Sequence, residues 1–358
     1  MSFNLAGLPT NLTNLPTRAI PIRIALTVSL ITLTTYLFKT HRRASRLTSI
    51  QALNARDSPS YPSNDLPIAV FLGGTAGIGR GMAESFARLT KGNAHIILIG
   101  RNATTAQTII DSFPKPTVPG AKHEFIHCDA TLMSECQRTI DQLLERLPKI
   151  DYLVVSVMLL KSFHQEETVE GKEPKLVLMY YARFKFIREL TPLLLKATPT
   201  TMKEGGGKVH IVGGAGLGKK IDYGDLGFKT KGYGFWKIRA QFPVYLDVIL
   251  QEFAARNPSI TFIHAYPGPV RSALADNLQS PLFLFIFRIV FEFSFPFTFL
   301  ESGDYMMHAM ITTARRPGVW SIDMFGEKMS EGKIVVATED ERKMLWEHSV
   351  EETRVLDL

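Results

Sequence analysis

The stretch Phe71-Leu72-Gly73-Gly74-Thr75-Ala76-Gly77-Ile78-Gly79-Arg80 constrains this chain more than any other. It follows the apolar run Pro67-Ile68-Ala69-Val70-Phe71-Leu72, which reads as a buried strand. It precedes Gly81-Met82-Ala83-Glu84-Ser85-Phe86-Ala87-Arg88-Leu89, which reads as a helix. Strand, glycine turn and helix together make a site for a dinucleotide pyrophosphate. The glycines permit the tight turn and close backbone approach, and the helix N-terminus offers free N–H groups and the positive end of its dipole. A glycine triplet alone is equally an ordinary strand-to-helix turn, so the rest of the chain must decide.

The spacing is Gly-x-x-x-Gly-x-Gly rather than the commoner Gly-x-Gly-x-x-Gly. It resembles the short-chain dehydrogenase/reductase family, whose usual form is Thr-Gly-x-x-x-Gly-Ile-Gly. Gly73, Gly77, Ile78 and Gly79 match, and Leu72 stands where the family has Thr. The resemblance implies a doubly wound parallel α/β sheet of Rossmann type and a nicotinamide cofactor.

Two cysteines, Cys128 and Cys136, give neither a disulfide framework nor a metal-ligand cluster, and no metal is expected. The net charge of +7 raises the question of nucleic acid. Residues 1–56 carry Arg18, Arg23, Lys39, Arg42, Arg43, Arg46 and Arg56 and no acidic residue, so the excess belongs to the leader. The remainder balances at 34 basic and 34 acidic side chains, and no nucleic-acid partner is expected.

Within that leader, Ile24 to Phe38 is apolar apart from five hydroxyl residues, and the stretch 19–39 is of borderline length for a membrane span. The basic residues after it predict a single-pass anchor with the catalytic domain cytosolic. The rival reading is a mitochondrial presequence, since the segment is basic, hydroxyl-rich and free of acids. Leu47 to Asp65 reads as a linker. The expected division is therefore a leader with anchor or targeting segment over 1–65 and a dehydrogenase/reductase domain over 66–358.

A second apolar run, His95-Ile96-Ile97-Leu98-Ile99, ends in Gly100-Arg101-Asn102. An acidic residue there would suit the ribose hydroxyls of NAD, and a basic one suits the 2′-phosphate of NADP. Gly100 takes the place of the acid, so Arg101, with Arg80 from the helix start, points to NADP(H). The plain alternative is two solvated surface arginines. Asp129 closes a third strand; the resemblance puts it near the adenine, and it equally suits a cap for the following helix. Val155-Ser156-Val157-Met158 stands where the family has Asn-Asn-Ala-Gly, leaving Ser156 as the residue suited to face the cofactor. Pro267-Gly268-Pro269-Val270-Arg271-Ser272 resembles the family's Pro-Gly-x-Val-x-Thr, which implies that Pro267, Gly268, Val270 and Ser272 hold the nicotinamide carboxamide.

Tyr233 and Lys237 stand four residues apart, a spacing that puts both on one helix face. A phenol titrating near pH 10 is a poor proton donor-acceptor at neutral pH, and an adjacent ammonium favours its phenolate. The resemblance makes Tyr233 the acid/base and Lys237 its partner and ribose ligand. The family's catalytic Ser has no counterpart, because Gly213-Gly214-Ala215-Gly216 stands in its place. The family's Asn aligns with Met179. The tract 216–237 and Leu345-Trp346-Glu347-His348-Ser349 resemble a fungal secondary-metabolism subgroup in which the catalytic tetrad is often eroded.

In Pro281 to Leu300, phenylalanine recurs at eight odd positions from Phe283 to Phe299. This predicts a hydrophobic lid over 278–300, with a core-packed helix pair as the alternative. The resulting expectation is an NADP-dependent oxidoreductase interconverting a hydrophobic ketone and secondary alcohol, of polyketide or terpenoid type. It would associate with membrane through 19–39, and a homo-oligomer is left open. Two alternatives stand beside it: an eroded NADP-binding scaffold, and a non-redox isomerase or dehydratase on the same fold.

Overall fold

The computed structural model describes residues 20–58, 61–159, 165–197, 206–218, 220–229, 234–271 and 296–355; of residues 20–33, 35–37, 39 and 235 it describes the backbone alone. Two compact units meet at Ser49–Ile50. The first carries most of α1 (Ile20–Asp57), a continuous helix. Among the described residues no helix is long and apolar enough to cross a membrane. The expected single-pass anchor over 19–39 therefore gains no support, and most of its side chains lie outside the described residues. Arg23 and the hydroxyls of Thr27, Ser29, Thr32, Thr34 and Thr35 interrupt its apolar character.

The second unit is built on β1 (Ile68–Leu72), β2 (His95–Gly100), β3 (Lys122–His127), β4 (Tyr152–Val155), β5 (Lys208–Val212), β6 (Thr261–Ala265) and β9 (Gly318–Ile322). They form one sheet in the order β3-β2-β1-β4-β5-β6-β9, every pair parallel. Strands buried on both faces read as largely apolar runs, here interrupted by the buried Lys208, His210, Thr261 and His264. β1, β4, β5 and β6 are buried throughout, while the edge strands β3 and β9 are partly exposed. Val70, Ile97, Leu153, Val209 and Phe262 meet Phe184, Phe186 and Phe253 in the core.

The helices covering the sheet include α2 (Gly77–Leu89), α3 (Ala103–Ser112), α4 (Met133–Arg146), the short α5 (Pro174–Leu176), α6 (Ala182–Leu194) and α7 (Phe235–Arg256). α8 (Phe299–His308) and α9 (Glu339–Glu352) follow. The periodicity from Pro174 to Lys196 predicts one helix. The chain instead passes through a π-helical turn over Val177–Tyr181 between α5 and α6, with Met179 buried in it.

α2 and α8 cross with their backbones in contact. A Cβ on Gly81 would lie 2.1 Å from the Phe299 carbonyl oxygen, and one on Gly303 would lie 2.3 Å from the Gly81 carbonyl carbon. Asp304 seals this crossing: its carboxylate accepts from Ser85 (2.5 Å), Arg88 (2.6 Å) and Gln51 (2.7 Å). Asn54 donates to the Asp304 carbonyl (3.0 Å) and pairs with His308 (2.8 Å), and Arg315 bonds Asp57. The segment read as a linker, 47–65, thus carries helix through Asp57, and its residues from Gln51 to Asp57 are bonded to α8 and its surroundings.

Candidate active site

The sheet order reverses at β1, which has β2 on one side and β4 on the other. Crevices open at such switch points, outside the carboxyl ends of the strands. The glycine turn lies there. Gly73 has φ +89° and Gly77 φ +53°, the left-handed region that glycine adopts without steric cost. A Cβ on Gly79 would stand 2.4 Å from the Gly73 carbonyl oxygen and 3.0 Å from the Ser156 Cβ. The Ser156 amide donates to the Leu72 carbonyl (2.9 Å), so the end of β4 forms the wall of the turn. Helix α2 begins inside the motif, at Gly77. Its N-cap, Ala76, makes no side-chain cap, and its first turn holds no acidic residue. The free N–H groups of that first turn are therefore open to an anion. The structure thus brings Gly73, Gly77, Ile78, Gly79 and Ser156 together.

Gly100, at the end of β2, faces Thr75. A Cβ there would come within 2.7 Å of the Thr75 hydroxyl oxygen, so an acidic side chain at this position has no room. Arg101 stands exposed just beyond it. Arg80 lies on the flank of α2, paired with Glu84 at 2.6 Å and 5.0 Å from the Phe299 ring centroid. Arg80 is thus held by a carboxylate and an aromatic face, whereas Arg101 is exposed. Asp129 accepts from the Thr131 amide (3.0 Å) and hydroxyl (2.8 Å), a local turn. The start of α4 is capped by Glu170 instead, which accepts from the amides of Met133 (2.6 Å) and Ser134 (2.9 Å).

On the far side of the switch point, Pro267 is buried and Gly268 takes φ +70° against Met324. Val270 lies in β7 (Val270–Arg271), which pairs in parallel with β8 (Phe297–Thr298). This short ladder sets Val270–Arg271 beside Phe297–Thr298. Ser272, Tyr233 and the lid residues 278–295 lie outside the described residues. Helix α7 starts at Phe235 behind an extended N-cap, Gly234, and the expected pairing of Tyr233 with Lys237 lies outside the described residues. Lys237 sits in the first turn of α7. Its Nζ donates to Asp225 Oδ2 at 3.0 Å and lies 5.2 Å from the Phe228 ring centroid.

Three features of this site were hidden in the sequence. At the end of β5, a Cβ on Gly213 would lie 2.5 Å from His264 Nε2. His264 is held behind it, its Nδ1 bonded to Asp247 at 2.6 Å, and its Nε2 accepts from the Gly214 amide at 3.2 Å. Both side chains are buried. The space beside Gly213 is thus closed by an imidazole, whereas a Cβ on Gly214, the next residue of the stretch that replaces the family's Ser, would stand 3.1 Å from Pro243 Cγ. Arg183 is also fully buried and spans the ends of two strands. It donates to the carbonyls of Leu178 (3.0 Å), Val212 (2.7 Å) and Val157 (2.6 Å), and burial pushes its guanidinium down to about 9. The third feature is Asp225 beside Lys237. Each joins residues far apart in the chain, and only a buried-strand position for His264 hinted at any of them.

Among the described residues no group of His, Cys, Asp or Glu could hold a metal ion.

Residues 67–218 match the family model for short chain dehydrogenases. The chain is 29% identical over 296 residues to Oxidoreductase AN1596 of Emericella nidulans, covering 80% of this chain and 83% of that one. It is 28% identical over 290 residues to the short-chain dehydrogenase/reductase SAT2 of Stachybotrys chartarum, covering 75% and 78%. The alcohol dehydrogenase of the archaeon Thermococcus sibiricus, solved with 5-hydroxy-NADP, has the same fold: TM-score 0.51 over 74% of this chain and 100% of that one, at 15% identity.

Proposed function

We propose that this chain, a short-chain dehydrogenase/reductase resembling fungal secondary-metabolism members, moves a hydride between NADP(H) and a hydrophobic ketone or secondary alcohol. The observation that carries the reading is the uncapped, glycine-opened start of α2 at the strand reversal, walled by Ser156. A cradle in which a single Cβ at position 79 would meet a carbonyl oxygen at 2.4 Å fits a pyrophosphate approached by backbone alone. NADP over NAD is supported by Thr75 filling the space beside Gly100 and by Arg101 exposed next to it. The complex of the archaeal relative with an NADP derivative is consistent with this choice.

The bound nicotinamide would supply or accept the hydride. The residues of the chain have the remaining work. Gly73, Gly77, Ile78 and Gly79 hold the pyrophosphate, and Pro267, Gly268, Val270 and Ser272 hold the carboxamide. Asp129 and Ser156 border the cofactor, and Arg101, with Arg80 if it leaves Glu84, meets the 2′-phosphate. Tyr233 passes a proton to or from the substrate oxygen, and Lys237 stabilises its phenolate and binds ribose. With no hydroxyl in Gly213-Gly214-Ala215-Gly216 and His264 closing the space beside Gly213, the Tyr233 hydroxyl is the hydrogen-bond donor assigned to the substrate carbonyl. The phenylalanine-rich segment 278–300 suits a polyketide- or terpenoid-like substrate.

The test is Tyr233→Phe, assayed for NADPH consumption across a panel of apolar ketones. Turnover should be abolished while NADPH binding persists; undiminished turnover would sink the assignment. The missing hydroxyl after β5, with His264 against Gly213, favours one second reading, a cofactor-binding scaffold without turnover. Wild-type protein that binds NADPH yet consumes none with any ketone, while its partner proteins retain it, would establish that reading.

A further inference from the structure

The segment Ile221–Phe228 is stitched to one stripe of α7. Lys237, Gln241 and Tyr245 recur at four-residue spacing, so they share a helix face. Each bonds this segment: Lys237 Nζ to Asp225 Oδ2 (3.0 Å), Gln241 Oε1 from the Asp222 amide (3.0 Å), and Tyr245 hydroxyl to the Leu226 carbonyl (3.0 Å). Asp225 is further set by its amide bond to the Asp222 carbonyl (3.1 Å) and by the Phe228 amide on its own carbonyl (3.0 Å). Phe228 has φ +54°, a conformation an aromatic residue keeps only where its surroundings enforce it. That conformation puts its ring 5.2 Å from Lys237 Nζ and stacked on Tyr245 at 6.1 Å.

The Asp225 carboxylate is 1% exposed, whereas the Lys237 side chain is 29% exposed. The carboxylate is therefore the buried partner, and the lysine side chain the partly exposed one. A long, flexible lysine loses much rotamer freedom when held, and here a buried carboxylate and an aromatic face hold it.

We propose that Asp225 is a positioning residue: it fixes Lys237 Nζ where it would bind the cofactor ribose. The proposal rests on the reading of Lys237 as the cofactor-binding lysine. It predicts that Asp225 acts on cofactor only through Lys237.

The experiment is a double-mutant cycle on the full chain, with NADPH affinity from fluorescence titration and with kcat and KM from the best ketone of the panel. Asp225→Asn should weaken NADPH binding about tenfold, the scale on which outer partners of a ligating group act. In a Lys237→Met background the same change should have no further effect. Asp225→Glu, which keeps the charge, should recover most of the affinity. An equal loss in both backgrounds would make Asp225 a structural residue only and overturn the proposal, as would an unchanged affinity in Asp225→Asn. If Lys237→Met itself leaves NADPH affinity and turnover intact, the lysine reading fails and the proposal falls with it. Should Asp225→Asn not fold, Gln241→Leu loosens the same segment without touching the ion pair. Its loss of affinity should likewise vanish in the Lys237→Met background, and a loss that persists there overturns the proposal.

Discussion

Restoring a serine at the end of β5 should damage this protein rather than improve it. In Gly213→Ser the new Cβ would lie 2.5 Å from His264 Nε2, 3.0 Å from its Cδ2 and 3.1 Å from Leu246 Cδ1. The first of these falls short of van der Waals contact by most of an ångström. His264 cannot recoil freely, because Asp247 holds its Nδ1 at 2.6 Å and both side chains are buried. Overpacking of this kind costs about 1–3 kcal/mol. Displacing the imidazole from a buried carboxylate adds about 1–3 kcal/mol. We expect Gly213→Ser to lose about 3 kcal/mol in equilibrium urea unfolding, with no gain in NADPH turnover. His264→Ala removes the obstructing ring, so the serine should cost almost nothing on top of it, giving a coupling of about 2–3 kcal/mol. His264→Ala is itself destabilising because it strands the Asp247 carboxylate. The coupling, not either single effect, is the measurement that decides. Additive losses would refute the reasoning, as would a stable Gly213→Ser variant with raised turnover.

Two further outcomes follow from the same geometry. Gly79→Ala places a Cβ 2.4 Å from the Gly73 carbonyl oxygen; NADPH affinity by fluorescence titration should fall by well over about tenfold, and wild-type affinity would show that the turn is not the pyrophosphate cradle. His210 is fully buried on β5 with neither ring nitrogen bonded, and desolvation pushes it down to about 3 from an ordinary 6.5. Below pH 6.5 the unfolded chain takes up a proton that the folded chain refuses, so this term is fully present above that pH and is lost as pH falls toward 3. From pH 7.5 to 5, wild type should lose about 2 kcal/mol more than His210→Leu in urea unfolding, and parallel losses would exclude His210 as the acid-labile group.

What was legible in the sequence was local or periodic. The predominantly apolar stretches became β1, β5 and β6, because strands buried on both faces favour apolar residues; the buried polar exceptions include His264, bonded to Asp247, and His210, whose ring nitrogens are unbonded. The glycine spacing located the switch-point turn, since close approach of Gly79 to the Gly73 carbonyl requires a residue without a Cβ. The Pro-Gly turn after β6 was legible for the same reason, and Gly268 does take positive φ. The π-helical turn at Val177–Tyr181 was not, because the apolar spacing of a helix barely changes when one turn widens.

The chemistry behind the turn was hidden for a different reason. Asp247 and His264 are separated by a helix end, a loop and most of a strand, and nothing in the composition of either element marks the pair. Read in sequence, Gly213-Gly214-Ala215-Gly216 is a loss: a hydroxyl is missing. Read in the fold, the glycine is a requirement, because the imidazole occupies the space in which a side chain would stand and takes the Gly214 amide as well. Lys237 shows the same inversion. Alone in the sequence it is half of a Tyr–Lys pair, but in the fold it is the partly exposed half of an ion pair whose buried half, Asp225, lies twelve residues earlier in a segment bound along α7. One departure from the family pattern, Gly213, and one matching residue, Lys237, thus both stand against buried polar groups that only tertiary packing brings to them.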